Sequence, residues 1–166
     1  LSKLSRSLGI CLVAASISVT CLTAPAVADG PQTVTLTANG TEVGTLTVHK
    51  RGDGTEPPAG LGNVSEWGVV ELSVDTSEGD VSPMAEACIS PSSGGEWCYG
   101  WHTTTVNGFE PRKRCYSNYY HRSKRHSSTA VMAGVTDKEW ADAGDISNTA
   151  VIAGFAYTCS TYYGIA

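Results

Sequence analysis

The chain of 166 residues offers almost no helical pattern. One helical turn is predicted, at Asp137 to Ala143. Long hydrophobic runs are equally scarce. Only Leu8 to Thr23 is apolar and uncharged for about 16 residues, short of the roughly 20 a membrane span requires, and no second run follows it. No two of the six cysteines stand two residues apart, so the spacing of a zinc site is missing. Gly-x-Ser-x-Gly, HExxH and a glycine-rich phosphate loop are absent too. These gaps leave hydrolase, metalloprotease and nucleotide-binding readings without support, and the chain is expected to use no cofactor or metal.

Lys3 and Arg6 precede the apolar run, and Ala26-Val27-Ala28 supplies small residues for a signal peptidase. The pattern predicts a cleaved export signal over residues 1–28, a mature chain from about Asp29, a secreted, extracellular location and no membrane span after cleavage. Cys21 follows Thr20, a bulkier residue than lipoprotein signals carry, which argues against lipidation. Cleavage would leave Cys88, Cys98, Cys115 and Cys159. An even set in a short exported chain predicts two disulfides. Three pairings are open. The strand-like runs about Cys98 and Cys115 favour joining those two, leaving Cys88 with Cys159.

Charge divides the predicted mature chain. Residues 29–96 carry 11 acidic residues against Lys50 and Arg51, whereas residues 97–166 carry seven basic and five acidic ones. The break falls near Ser90 to Gly95, which reads as a linker. An acidic β-rich region over 29–95 and a second domain over 96–166 are therefore expected, with the acidic part covering basic residues of the other.

Alternating residues give the strands. Thr33 to Ala38 and Thr41 to Val48 flank Asn39-Gly40, a type I′ hairpin signal, and Gly44 marks a bulge. Gly52 to Gly62 reads as a loop, Trp67 to Val74 as a strand and Asp75 to Asp80 as a turn. Trp97, Tyr99 and Trp101 share one strand face, with Cys98 on the other. Beyond Asn107-Gly108, strand-forming residues flank a polar tetrad, Arg122 to Arg125, read as the turn of a hairpin with His121 opposite His126. Thr149 to Ala156 and Tyr157 to Tyr163 supply closing strands. The class expected is all-β.

Trp97-x-Tyr99-Gly100, Tyr116-Ser117-Asn118-Tyr119-Tyr120-His121, Lys124, His126-Ser127-Ser128 and Val131 resemble the lactococcin 972 family of bacteriocins. Trp140-x-x-x-Gly144 and Tyr162-Tyr163-Gly164 fit the end of the same pattern, which spans about the last 70 residues. The resemblance implies a Sec-exported, small antiparallel β-sandwich-like domain. It also implies a homodimeric antibacterial that binds the cell-wall precursor lipid II and blocks septum formation. The long acidic segment and the four cysteines depart from the founding type.

The residues suit such a target chemically. Pyrophosphate is met by guanidinium forks and ammonium charges, and sugars stack on flat aromatic rings. Tyr116, Tyr119, Tyr120, His121, Arg122, Lys124, Arg125 and His126 are the candidate ligand-binding residues, for lipid II or another anionic cell-wall precursor. A ribonuclease-like set of His102, His121, His126 and Lys124 needs two groups poised about one phosphate, and the chain is read as no enzyme. Nucleic acid is not expected as a partner, because the predicted mature chain has a net charge of −7. The alternative is a secreted structural or cell-surface interaction module of the same fold that kills nothing.

Overall fold

The computed structural model describes residues 30–38, 41–72 and 84–166. The expected export signal, the Asn39-Gly40 turn and the Asp75–Asp80 turn lie outside the described residues. Ten strands account for most of the rest: β1 (Gln32–Ala38), β2 (Thr41–Lys50), β3 (Glu66–Leu72), β4 (Met84–Ile89), β5 (Glu96–Val106), β6 (Glu110–Tyr120), β7 (His126–Met132), β8 (Val135–Ala141), β9 (Ile146–Ala153) and β10 (Cys159–Ile165). They form two antiparallel sheets, one ordered β1-β2-β3-β10-β7-β8 and the other β4-β5-β6-β9. The protein is the all-β sandwich that the alternation and the resemblance implied.

The two-residue period decides what each strand buries. Leu36, Leu46, Val48, Val70 and Leu72 from β1 to β3 meet Trp97, Tyr99 and Trp101 of β5 in one core between the sheets. Each fully buried aliphatic side chain contributes roughly 1.5–3 kcal/mol. The hairpin of β1 and β2 carries a bulge, since Leu36 pairs with Gly44 and Thr37 with Glu42, leaving Val43 unpaired. A side chain at Gly44 would collide with the Glu71 carbonyl of β3.

Residues on either side of Ser90–Gly95 share a sheet. β3 is hydrogen-bonded to β2 on one side and β10 on the other. Opposite Tyr163 in that pairing stands Gly68, and any side chain there would strike the Tyr163 ring. The ring packs against Trp97 and Tyr119, with centroids 4.9 and 5.2 Å away, and its hydroxyl donates to Glu66 at 2.8 Å. Glu66 also accepts from Ser93 at 2.7 Å, and Tyr119 donates to the Gly94 carbonyl at 2.7 Å. The segment read as a linker is thereby tied to both sheets.

Three expectations are corrected. The disulfides are Cys88–Cys98 and Cys115–Cys159, not Cys98–Cys115 and Cys88–Cys159. Cys98 faces outward beside Cys88 on the neighbouring strand, whereas Cys115 faces the core and meets Cys159 of the other sheet. Residues 137–141 are strand β8, not a helical turn. This edge strand reads as mixed polar sequence because its alternate carboxylates serve the backbone. Glu139 accepts from the amide of Asn148 at 2.6 Å, and Asp137 from that of Ala150 at 2.9 Å, closing the gap to β9. Finally, β6 and β7 are not a hairpin. They lie in different sheets, and the polar tetrad carries the chain across from one to the other.

Two stability measurements follow. Gly68→Ala is expected to cost about 1–3 kcal/mol by overpacking against Tyr163, read by urea unfolding as a loss common to probes in both sheets. Replacing Cys115 and Cys159 with Ser is expected to cost about 4 kcal/mol, against about 3 kcal/mol for the Cys88–Cys98 pair, because the closed loops span 44 and 10 residues.

Candidate functional site

At the end of β6 the chain turns outward to pass between the sheets, so residues 121–125 form a corner. Two buried histidines shape it. His121 donates through Nε2 to the Ser93 carbonyl at 3.0 Å, and its Nδ1 accepts from the amides of Ser123 and Lys124 at 3.2 and 3.0 Å. His126 places Nδ1 2.9 Å from the Lys124 carbonyl and Nε2 2.9 Å from that of Tyr119. A neutral ring has one N–H and satisfies one of these carbonyls. The amides of Gly144 and Ala166 donate to the carbonyls of His121 and Arg125, at 2.9 and 3.1 Å.

The side chains of this corner divide sharply. Arg122, Lys124 and Arg125 are exposed. Arg125 lies 3.6 Å from Asp142, and its guanidinium carbon is 5.2 Å from the centre of the Trp140 ring. Lys138 sits 4.8 Å from the same ring and donates to the Gly60 carbonyl at 2.7 Å. Burial holds the Lys138 ammonium below the usual lysine range. Trp140, half-buried, packs with Tyr162 on Leu61, Val64 and Trp67. Two cations therefore flank one partly open indole at favourable cation–π distances.

The other candidates are placed differently. Tyr119 has no exposure, and burial raises its hydroxyl above the usual tyrosine range. Tyr116 is 5 % exposed on the outer face of the four-stranded sheet, with Arg114 over its ring at 5.9 Å. Tyr120 is exposed at the strand end. His121 and His126 do lie near one another, with ring centroids 6.2 Å apart, but each ring is engaged by backbone groups. The corner thus gathers the three cations with Tyr120, while Tyr116 and Tyr119 are spent on packing.

The six sequence-clustered cations also separate. Arg112, Lys113 and Arg114 stand near the start of β6, and ten residues of extended chain put them roughly 30 Å from the corner. Lys113 faces inward with no exposure. Its Nζ donates to the Tyr157 carbonyl at 2.7 Å and lies 5.0 Å from the centre of the Trp101 ring. Burial brings its ammonium down to about 8. His102 is opposite Arg114 in the β5–β6 register, far along the sheet from His121, so the ribonuclease-like set does not converge. Cys88, Glu96 and Cys98 place potential ligand atoms within 4.8 Å, yet both sulfurs are already joined as a cystine.

Lys138 and Trp140 carry no sequence signal of a binding site beyond the place of Trp140 in the family pattern. Reading residues 135–141 as a strand would have aligned both on one face, away from Asp137 and Glu139.

The geometry defines a disulfide-bonded β-sandwich with a rigid, cation-bearing corner and no deep catalytic constellation among the described residues. The model of the lactococcin 972 bacteriocin family matches residues 93–163, the C-terminal region, which runs from the Ser93–Gly95 contacts through β10. The match supports a bacteriocin-like antibacterial role. No curated protein and no solved structure matches the chain. Among the described residues, no helix is long and apolar enough to cross a membrane.

Lys113 yields a pH prediction. Its folded value near 8 lies below the ordinary 10.5, so the unfolded chain retains a proton that the folded one releases between these values. Stability should therefore rise with pH above about 8. Subtracting the profile of Lys113→Met cancels the opposing ionisation of the buried tyrosines. A flat difference between chemical-denaturation curves from pH 8 to 10 would contradict the assignment.

Proposed function

We propose that the protein is a secreted bacteriocin-like antibacterial that binds lipid II, or another anionic cell-wall precursor, and thereby blocks cell-wall and septum synthesis. The carrying observation is the corner itself. Arg122, Lys124 and Arg125 project from a backbone that two buried histidines hold in place. Preorganised cations lose little freedom on meeting phosphate, and arginine adds a bidentate fork. Trp140, beside Arg125 and Lys138, offers a flat face for a sugar ring within reach of the same anion. The predicted signal peptide and the family match favour action outside the producing cell.

A second reading draws on a specific observation. Tyr116 and Tyr119 are buried, so much of the aromatic signature maintains the fold whether or not a ligand binds. A secreted, non-killing interaction module would retain those residues equally well.

The distinguishing experiment uses the disulfide-bonded protein and vesicles with or without lipid II. Saturable binding that needs lipid II is expected. Combined Lys124→Ala and Arg125→Ala substitutions should weaken it at least about tenfold, the equivalent of one charge-assisted hydrogen bond of about 1.5 kcal/mol. The melting temperature should be nearly unchanged, since both residues are exposed. Equal binding by variant and parent would move the site elsewhere, and no lipid II dependence would favour the interaction module.

A further inference from the structure

The two cystines differ in what can reach them. Cys115 and Cys159 have no exposure and lie in the core between the sheets. Cys88 and Cys98 are partly exposed on the outer face of the four-stranded sheet, directly opposite one another on β4 and β5, with Cα atoms 4.0 Å apart. β4 is an edge strand of that sheet, with β5 as its one neighbour in the strand order. A thiol in solution therefore has access to this bond, whereas the inter-sheet cystine is closed to it.

Opening the bond does not release the residues that carry it. Cys88 stands between Ala87 and Ile89, each 2 % exposed, and Cys98 between Trp97 and Tyr99, 0 % and 1 % exposed. Those four side chains anchor both strands in the core from the inner face, and the β4–β5 ladder pairs Met84–Ile89 with Trp97–His102. Two thiols formed here stay side by side on the outer face.

Glu96 completes the group. It lies two residues before Cys98 on β5, so alternation gives it the same face, and its Oε1 is 3.7 Å from the Cys98 sulfur. It is exposed, and among the described residues no cation pairs with it. Cys88, Glu96 and Cys98 bring one ligand atom each to within 4.8 Å of the others, and no other such trio exists among the described residues. The cysteines are 10 residues apart, so strand pairing rather than sequence spacing assembles the set. Left alone, a carboxylate beside two thiols disfavours their ionisation, since negative charges would face one another. A divalent cation reverses this, because coordinated thiols give up their protons. Two soft sulfurs and one carboxylate oxygen select a thiophilic ion such as zinc over calcium or magnesium.

We propose that Cys88, Cys98 and Glu96 form a reduction-gated binding site for zinc or another thiophilic divalent cation. A dithiol supplies two electrons and two protons. The Cys88–Cys98 bond breaks, each sulfur takes a proton, and the dithiol closes to its own disulfide. The cation then displaces both protons and joins β4 to β5 in place of the covalent bond, with water free to take the remaining position on the metal. The site is separate from the exposed cations of the corner and does not depend on what they bind.

The test uses the disulfide-bonded protein, carrying Cys11→Ser and Cys21→Ser wherever the export signal is retained. It is treated briefly with dithiothreitol and desalted without oxygen. Mass spectrometry after alkylation should find Cys88 and Cys98 labelled while Cys115 and Cys159 remain joined. Zinc, titrated against a chromogenic chelator, should bind this form at about one ion per chain, and cadmium should give the ultraviolet absorption of thiolate ligands. The unreduced protein should bind neither ion. Glu96→Gln, a change at an exposed position, should weaken zinc binding at least about tenfold, the loss that even an outer partner of a metal ligand causes. Combined Cys88→Ser and Cys98→Ser substitutions should abolish it. Zinc should also raise the melting temperature of the reduced parent and leave that of the double serine variant unchanged. Equal labelling of all four cysteines, equal zinc binding before and after reduction, or unchanged affinity in Glu96→Gln would each overturn the proposal.

Discussion

Tyr163 is fully buried, and its ring occupies the space that any side chain at Gly68 would claim. Much of the architecture depends on this contact. It suits the register in which Gly68 faces Tyr163, and with that register the three N-terminal strands join the six-stranded sheet. Trp97 and Tyr119 pack against the same ring from the facing sheet. Its hydroxyl meets the buried Glu66 carboxylate, which in turn holds Ser93 at the entrance to β5. A carboxylate taken out of water needs such donors, so the polar contacts are required by the burial rather than added to it.

From that centre the chain reaches two different ends. Towards the corner, Tyr119 packs against the rings of both His121 and His126, and the histidines use their nitrogens to fix the crossing backbone. Towards the other end, the core stops at Trp101 while the β5–β6 hairpin continues. One strand, β6, thus separates a rigid polar corner from a projecting hairpin. Its buried Lys113 lies between them, bound to a carbonyl from the β9–β10 connection.

Local alternation made a large part of this legible. The β1–β2 pair, the inward set Trp97, Tyr99 and Trp101, and the two closing strands all follow from residues that are near neighbours. What escaped was the pairing of distant segments. Alternating strands on either side of Arg122–Arg125 fit a hairpin and a sheet-to-sheet crossing equally well, and only the packing of Ser127, Ser128 and Thr129 distinguishes them. Cysteine spacing cannot reveal that Cys98 and Cys115, on paired strands, point to opposite faces. The buried Lys113 has the sequence signature of a surface cluster. β8 lacks an apolar stripe because Asp137 and Glu139 reach β9 amides. At the candidate site the cations were identifiable from sequence, but the loss of Tyr116 and Tyr119 to packing was not.

Both cystines lie between residues 88 and 159, one linking β4 to β5 and the other joining the two sheets. Neither reaches β1, β2 or β3. A protease cutting the peptide connection between β3 and β4 would leave a covalently stapled piece and a three-strand piece held to it by ladder hydrogen bonds, the shared core and side-chain contacts such as Glu66 with Tyr163 and Ser93. Such a cut would test fragment complementation, with Gly68 against Tyr163 as the seam at which the two pieces meet.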